Sequence, residues 1–289
     1  MFPEFRCHRI IGWLAATLAL LLLQGCSSVR LAYNNSPDLS YWWLDSYVDF
    51  DDPQATRVRA ALPQLLAWHR SHELPLTADL LHKLQGLAAA TTTPALACSA
   101  YREIQAHLQP LIGQAAPLAT EVAGTLSAAQ LLHIEQRLRK NNQDYQDKWG
   151  QGSAMERSER RFKVGVERYE NLYGTLEDAQ RAALRDSIAT SSYDFDHSFA
   201  ERLRRQKELL QTLKRVSTSP GLANESAVQA QMQSMLEATG QDGYSERLKQ
   251  ENCATFAVVH NAATPGQRER AVRRLAAYER DARELAVQR

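Results

Sequence analysis

Leu126-Ser127-Ala128-Ala129-Gln130-Leu131-Leu132-His133-Ile134 opens the stretch that decides the fold. Leu131, Ile134, Leu138, Tyr145 and Trp149 recur at helical spacing and predict one amphipathic helix, stopped by Gly150 and Gly152. Ser127 stands three residues before Gln130, the arrangement of a capping box. The hydroxyl accepts from a first-turn N–H, and the glutamine side chain reaches back to the N–H of the cap residue. The same spacing recurs at Asp51-Asp52-Pro53-Gln54 and Thr264-Pro265-Gly266-Gln267. Leu176-Glu177-Asp178-Ala179-Gln180 is a fourth helix start in which Glu177, a poor cap, holds the first position; Thr175 with Asp178 is the expected substitute.

Outward from these starts the pattern stays helical. Val58, Leu62, Leu65, Leu66 and His69 share one face of a helix expected to stop near Pro75, with a second over 77–87 before Thr91-Thr92-Thr93-Pro94. Residues 95–124, interrupted by Pro110, Gly113 and Pro117, predict two short helices. Phe162, Val166, Tyr169 and Tyr173 form a stripe closed by Gly174. Leu184, Ile188, Phe195, Phe199, Leu203, Leu210 and Leu213 extend helical spacing to the breaker Pro220-Gly221. Further helices are expected over 224–239, 242–261 and Pro265 to Val287. No run alternates as a strand does, so the expectation is an all-α, multi-helix bundle with long amphipathic helices.

The N-terminus carries a different signal. Arg6, His8 and Arg9 precede the apolar run Ile10 to Leu23, and Leu23-Gln24-Gly25-Cys26 follows. This resembles a bacterial lipoprotein signal peptide, with Cys26 as the lipid acceptor. The run is too short for a spanning helix, which needs about 20 apolar residues. The expected organisation is signal peptide 1–25, lipidated tether 26–36 and helical-bundle domain 37–289. Ser27 after Cys26 implies, by resemblance to sorting signals, an outer-membrane anchor facing the periplasm. Cleavage would take Cys7 and acylation Cys26, leaving Cys98 and Cys253 as a pair in an oxidising compartment, where a disulfide is the expected state.

The 289 residues hold 34 Lys+Arg against 33 Asp+Glu, a formal charge of +1. Nucleic acid demands a clustered positive excess, which this balance does not supply. There is no G-x-S-x-G, no H-E-x-x-H and no glycine-rich phosphate loop, so no catalytic residue and no cofactor is assigned. His69, His72 and Glu73 lie within one turn, but without paired Cys/His spacing no metal site is assigned. Leu39, Trp43, Tyr47 and Phe50 are expected to pack the aromatic segment onto the bundle. Trp42 lies off that stripe and is a candidate partner contact. Arg139, Asn142 and Tyr145 mix polar and aromatic groups on one helix and are further candidates. The arginines of the last helix, Arg268, Arg270, Arg273, Arg274, Arg280 and Arg283, raise the question of anionic lipid.

The helix starts resemble the L-T-x-x-Q motifs of Spy-type periplasmic chaperones, which implies a helical surface that shields unfolded clients. The lipobox, Ala32-Tyr33-Asn34-Asn35 and Tyr41-Trp42-Trp43-Leu44-Asp45 together resemble an uncharacterised family of proteobacterial lipoproteins. That resemblance implies fold and location but no activity. The expected function is a non-enzymatic, lipid-anchored envelope protein that binds another protein or an unfolded client. The alternative is a peptidoglycan- or glycan-related enzyme, or its regulator, with a dispersed site.

Overall fold

The paired glutamine starts organise the molecule. In the computed structural model the described residues are 27–219, 223–237 and 243–288, so the expected signal peptide, Cys26 and Pro220-Gly221 lie outside them. Among the described residues the secondary structure is helical throughout: α1 Ser27–Asn34, α2 Ser36–Val48, α3 Asp52–Ala89, α4 Pro94–Ala106, α5 Gln109–Gly124 and α6 Ala128–Trp149. There follow α7 Ala154–Tyr173, α8 Asp178–Ala189, α9 Phe195–Thr218, α10 Ala223–Glu237, α11 Tyr244–Asn261 and α12 Pro265–Val287.

Three boundaries differ from expectation. The tether 26–36 is not a loop over its described part, because α1 packs on the bundle: Arg30 pairs with Asp281 at 3.4 Å and Tyr33 meets Nδ1 of His69 at 2.9 Å. Pro75 does not end a helix, since α3 runs through both Pro63 and Pro75. An interior proline costs about 3 kcal/mol. Packing of α12 antiparallel along α3 offsets it, with Leu74 and Ala78 buried against Ala282 and Leu285. In contrast, the stripe 184–213 is two helices, broken at Thr190 and restarted by the Asp194 side chain accepting from the His197 N–H.

At each of the four starts the glutamine oxygen does what a capping box requires. It accepts the N–H of Asp51, Ser127, Glu177 or Thr264 at 2.9–3.2 Å. At Glu177 this glutamine half of the box forms with Glu177 itself in the cap position, which the expected Thr175–Asp178 substitute does not take. That leaves each glutamine with a free NH₂ carrying two donors. These point inward and join the starts in pairs. Gln130 Nε2 donates to Gln54 Oε1 at 2.6 Å and to the Asp49 carbonyl at 2.9 Å; Gln54 Nε2 donates to Thr125 Oγ1 at 3.0 Å. Gln267 Nε2 donates to Gln180 Oε1 at 2.8 Å and to the Thr175 carbonyl at 2.7 Å; Gln180 Nε2 reaches the Val259 carbonyl at 3.3 Å. All four glutamines are buried.

Each junction carries its own apolar cluster. Four residues beyond the glutamines come Val58, Ile134, Leu184 and Ala271, every one buried. Tyr41, Val58 and Leu62 pack at the first junction; Phe162, Val166, Tyr173, Leu176 and Leu184 pack at the second. Gly124-Thr125-Leu126 and Gly174-Thr175-Leu176 precede equivalent starts, so the two halves use the same local sequence for the same geometry. Gly174 sits at φ 79°, a left-handed turn that suits glycine, with the Arg270 side chain only 3.0 Å from where a Cβ would stand.

Candidate functional site

The first two helices carry the most conspicuous exposed apolar side chains. The Tyr47 hydroxyl accepts from Asn141 and the Ser46 carbonyl meets Nε2 of His133 at 3.4 Å, which fixes α2 on α6. Asp49 then ends α2 in a left-handed conformation, φ 57°, its N–H bonded to the Asp45 carbonyl at 2.8 Å. Held so, α2 buries Tyr41 and half-buries Leu44 and Phe50. The opposite face presents Leu39, Trp42 and Trp43, at i, i+3 and i+4. Trp42 is 62 % exposed and Trp43 61 %. The expected packing stripe is therefore corrected in part: Tyr47 and Phe50 are half-buried as expected, but Tyr41 and Leu44 pack with them, while Leu39 and Trp43 face outward beside Trp42. Leu31 on α1 is exposed as well. Isolated exposed apolar residues are ordinary, but two adjacent tryptophans on a short helix with a leucine one turn away are a candidate contact surface.

The α6 candidates divide. Asn142 and Gln206 exchange amide hydrogen bonds at 2.6 and 3.0 Å, and Arg202 Nε donates to Asn142 Oδ1 at 2.8 Å. Tyr145 stacks on Phe195 and Phe199, with ring centroids 6.0 and 6.2 Å apart. Both side chains thus hold α6 to α9, which sequence reasoning missed because their partners lie fifty or more residues on. Arg139 stays at the surface, paired with Glu135 at 3.0 Å on the rim of a shallow groove with Leu203 and Lys207.

The histidines also have structural partners. His69 meets Tyr33, whereas His72 stacks on Trp68 and contacts Ser71, and Glu73 is buried. Among the described residues no group of three His, Cys, Asp or Glu side chains is placed to hold a metal ion. Arginines of α12 are engaged locally: Arg283 with Asp79 and Glu279, Arg273 with Glu269, Arg268 with the Asn261 carbonyl.

His260 was not singled out by sequence. It is 1 % exposed, and both ring nitrogens are occupied. The Ala90 carbonyl can only accept, so Nε2–H donates to it at 2.6 Å and Nδ1 accepts the Tyr173 hydroxyl at 2.6 Å. Burial, the largest influence, holds His260 below the usual histidine pKa and pushes the Tyr173 hydroxyl up. Burial also lowers His69, opposed by Glu73. A depressed folded-state pKa means that the unfolded chain takes the proton first. The associated stability is then complete above about pH 6.5 and is lost as pH falls through the folded value. Urea midpoints should fall between pH 7.5 and 5.5, and His260→Gln, which can both donate and accept, should flatten that fall. An unchanged slope in the variant would assign the pH dependence elsewhere.

Sequence comparison sets these features in a family. The description "Family of unknown function (DUF6279)" matches residues 46–249, well over half of the chain. The chain belongs to this family. The matched span runs from the end of α2 to early α11 and takes in Gln54, Gln130 and Gln180, leaving Gln267 beyond it. No curated protein and no solved structure matches the chain.

Proposed function

We propose that this DUF6279 chain is a non-enzymatic envelope protein, anchored by lipid at Cys26 to the outer membrane on its periplasmic side, whose helical surface binds a protein partner. The observation that carries the reading is the outward pair Trp42 and Trp43 with Leu39, on a helix that begins at Ser36, ten residues after the proposed acylated cysteine. Tryptophan is enriched in binding hot spots because it offers large area at low entropic cost. The Cys98–Cys253 bond, with S–S 2.05 Å, fits an oxidising compartment. An envelope protein or unfolded client is the proposed occupant of this surface; two acyl chains or more suffice for tethering without it.

The test places a photoactivatable amino acid at position 42 of the acylated protein in intact envelopes. A reproducible protein adduct is expected, lost when Leu39 and Trp43 are changed to serine. Because these side chains are exposed, Leu39→Ser/Trp43→Ser should alter unfolding free energy by no more than about 0.5 kcal/mol per site. Adducts only to lipid, or none, would overturn the protein-binding reading. An unacylated Cys26 in the mature chain would overturn the anchor separately.

A further inference from the structure

A second feature lies away from α1 and α2. Helix α4 buries none of its side chains fully, and its apolar residues Leu96, Tyr101 and Ile104 are 47, 42 and 44 % exposed. They are not scattered over the surface. With Ala97 and Ala100 they line the α4 wall of a cavity of about 370 Å³, closed on the other sides by Leu87 of α3, Phe256 of α11, Leu172 of α7 and Leu275 of α12. Small-ligand sites span roughly 300–1,000 Å³ and are mostly apolar with a few placed polar groups.

The polar groups are distributed unevenly. Along α11 the cavity is bordered in turn by Lys249, Asn252, Cys253, Phe256 and His260. That is eleven helical steps, about 16 Å at 1.5 Å per residue. At the His260 end both ring nitrogens are already bonded, to Tyr173 and Ala90, and the other polar side chain there, Thr92, is neutral, so this end offers a guest no charged partner. At the other end Lys249 borders three depressions at once: the cavity, a second one with Arg102 and Gln105, and a third with Arg205 and Ser198. Its ammonium keeps only a loose surface pairing with Glu246 at 3.7 Å. An elongated apolar slot, with no charged group at one end and an ammonium at the other, is complementary to one kind of guest.

We propose that the slot between α3, α4 and α11 binds a single-chain aliphatic carboxylate, its chain lying along α11 and its head group at Lys249 and Asn252. A peptide would leave its backbone amides facing an apolar wall, at the cost of unmade hydrogen bonds. A cationic or neutral amphiphile would leave Lys249 without its counterpart. This site is independent of the tryptophan surface and of the Cys26 anchor.

The test uses the full chain in phosphatidylcholine nanodiscs with a diazirine-bearing hexadecanoic acid, the cross-linked peptides being identified by mass spectrometry. Saturable labelling is expected in α4 and α11. Lys249→Gln should reduce it about tenfold, and shortening the chain should weaken competition roughly fourfold per methylene removed. Ala100→Trp should abolish labelling by filling the slot. Ile104→Asp, which adds no bulk at an exposed position, should do the same by repelling the carboxylate, and thermal melts check that both variants remain folded. Equal labelling by the methyl ester would overturn the recognition of charge. Labelling confined to residues 29–43, or unaffected by both slot variants in folded protein, would overturn the site.

Discussion

Gln267→Glu is expected to destabilise the protein by about 3 kcal/mol or more at pH 7.5, although glutamate is an accepted partner in a capping box. The reason is the direction of the second amide group. Gln267 accepts from the Thr264 N–H through Oε1 and donates through Nε2 to the Thr175 carbonyl and to Gln180 Oε1. Glutamate preserves the first function. It turns the second into a carboxylate facing two acceptors, one of them the buried Gln180 Oε1, with nothing left to donate. Start α7 supplies the internal contrast: its box is Ser153 with Glu156, it is exposed, and Glu156 satisfies only its own cap. Glutamine stands where two helix starts meet, and glutamate where one start meets water.

Two measurements separate this account from a generic core defect. The buried glutamate would have its pKa raised above the unfolded value of about 4.3, so the folded variant takes the proton first and part of the loss should return on acidification. Gln267→Ala leaves no such group and should show no recovery beyond that of the unsubstituted protein. A Gln180→Ala/Gln267→Ala cycle should give a coupling energy of about 1–3 kcal/mol, since the two amides bond directly. Additive losses, or a Gln267→Glu variant as stable as the original, would leave the paired starts as mere neighbours.

These junctions also mark how far the sequence could be read. A capping box is a local signal, complete within four residues, so all four starts are legible and three of their caps are named correctly. Their pairing is not legible, because the second glutamine donor is aimed at residues 71 to 92 positions away. Choice of glutamine over glutamate was the available clue. The same division explains the errors. Pro75 is a local stop signal overridden by the packing of α12 along α3. Asn142 and Tyr145 look like a free polar-aromatic face until α9 covers them. Spacing alone puts Trp43 inward, but only the position of α3, whose Val58 and Leu62 receive Tyr41, decides which face of α2 is the inner one. The all-α class survives every such revision, since it rests on periodicity and stops summed over the chain rather than on any single boundary.

Replacing both Cys98 and Cys253 by serine is expected to produce two losses that can be told apart. The bond joins residues 155 apart in sequence. In the chain-entropy description, closing so long a loop in the unfolded state is worth up to about 5 kcal/mol, an upper figure because native relaxation and residual unfolded structure reduce it. Chemical unfolding should therefore show a large drop in midpoint. Locally the consequence should be greater still, because α4 has no fully buried side chain to hold it. Its other fastenings are at the surface: the Thr93 cap, the Asn261 side chain bridging to Thr92, and the Lys83–Glu103 pair at 2.6 Å. Exposed pairs of that kind contribute about 0–1 kcal/mol each. Amide exchange in α4 should thus approach the rate of a fraying segment in the serine variant, while α6 and α8 stay protected until global unfolding. Exchange that rises uniformly, with α4 no faster than its neighbours, would show that the bond acts only through the unfolded chain. Selective opening of α4 would show instead that a single covalent link closes the wall of the apolar slot, so that the redox state of two cysteines governs access to it.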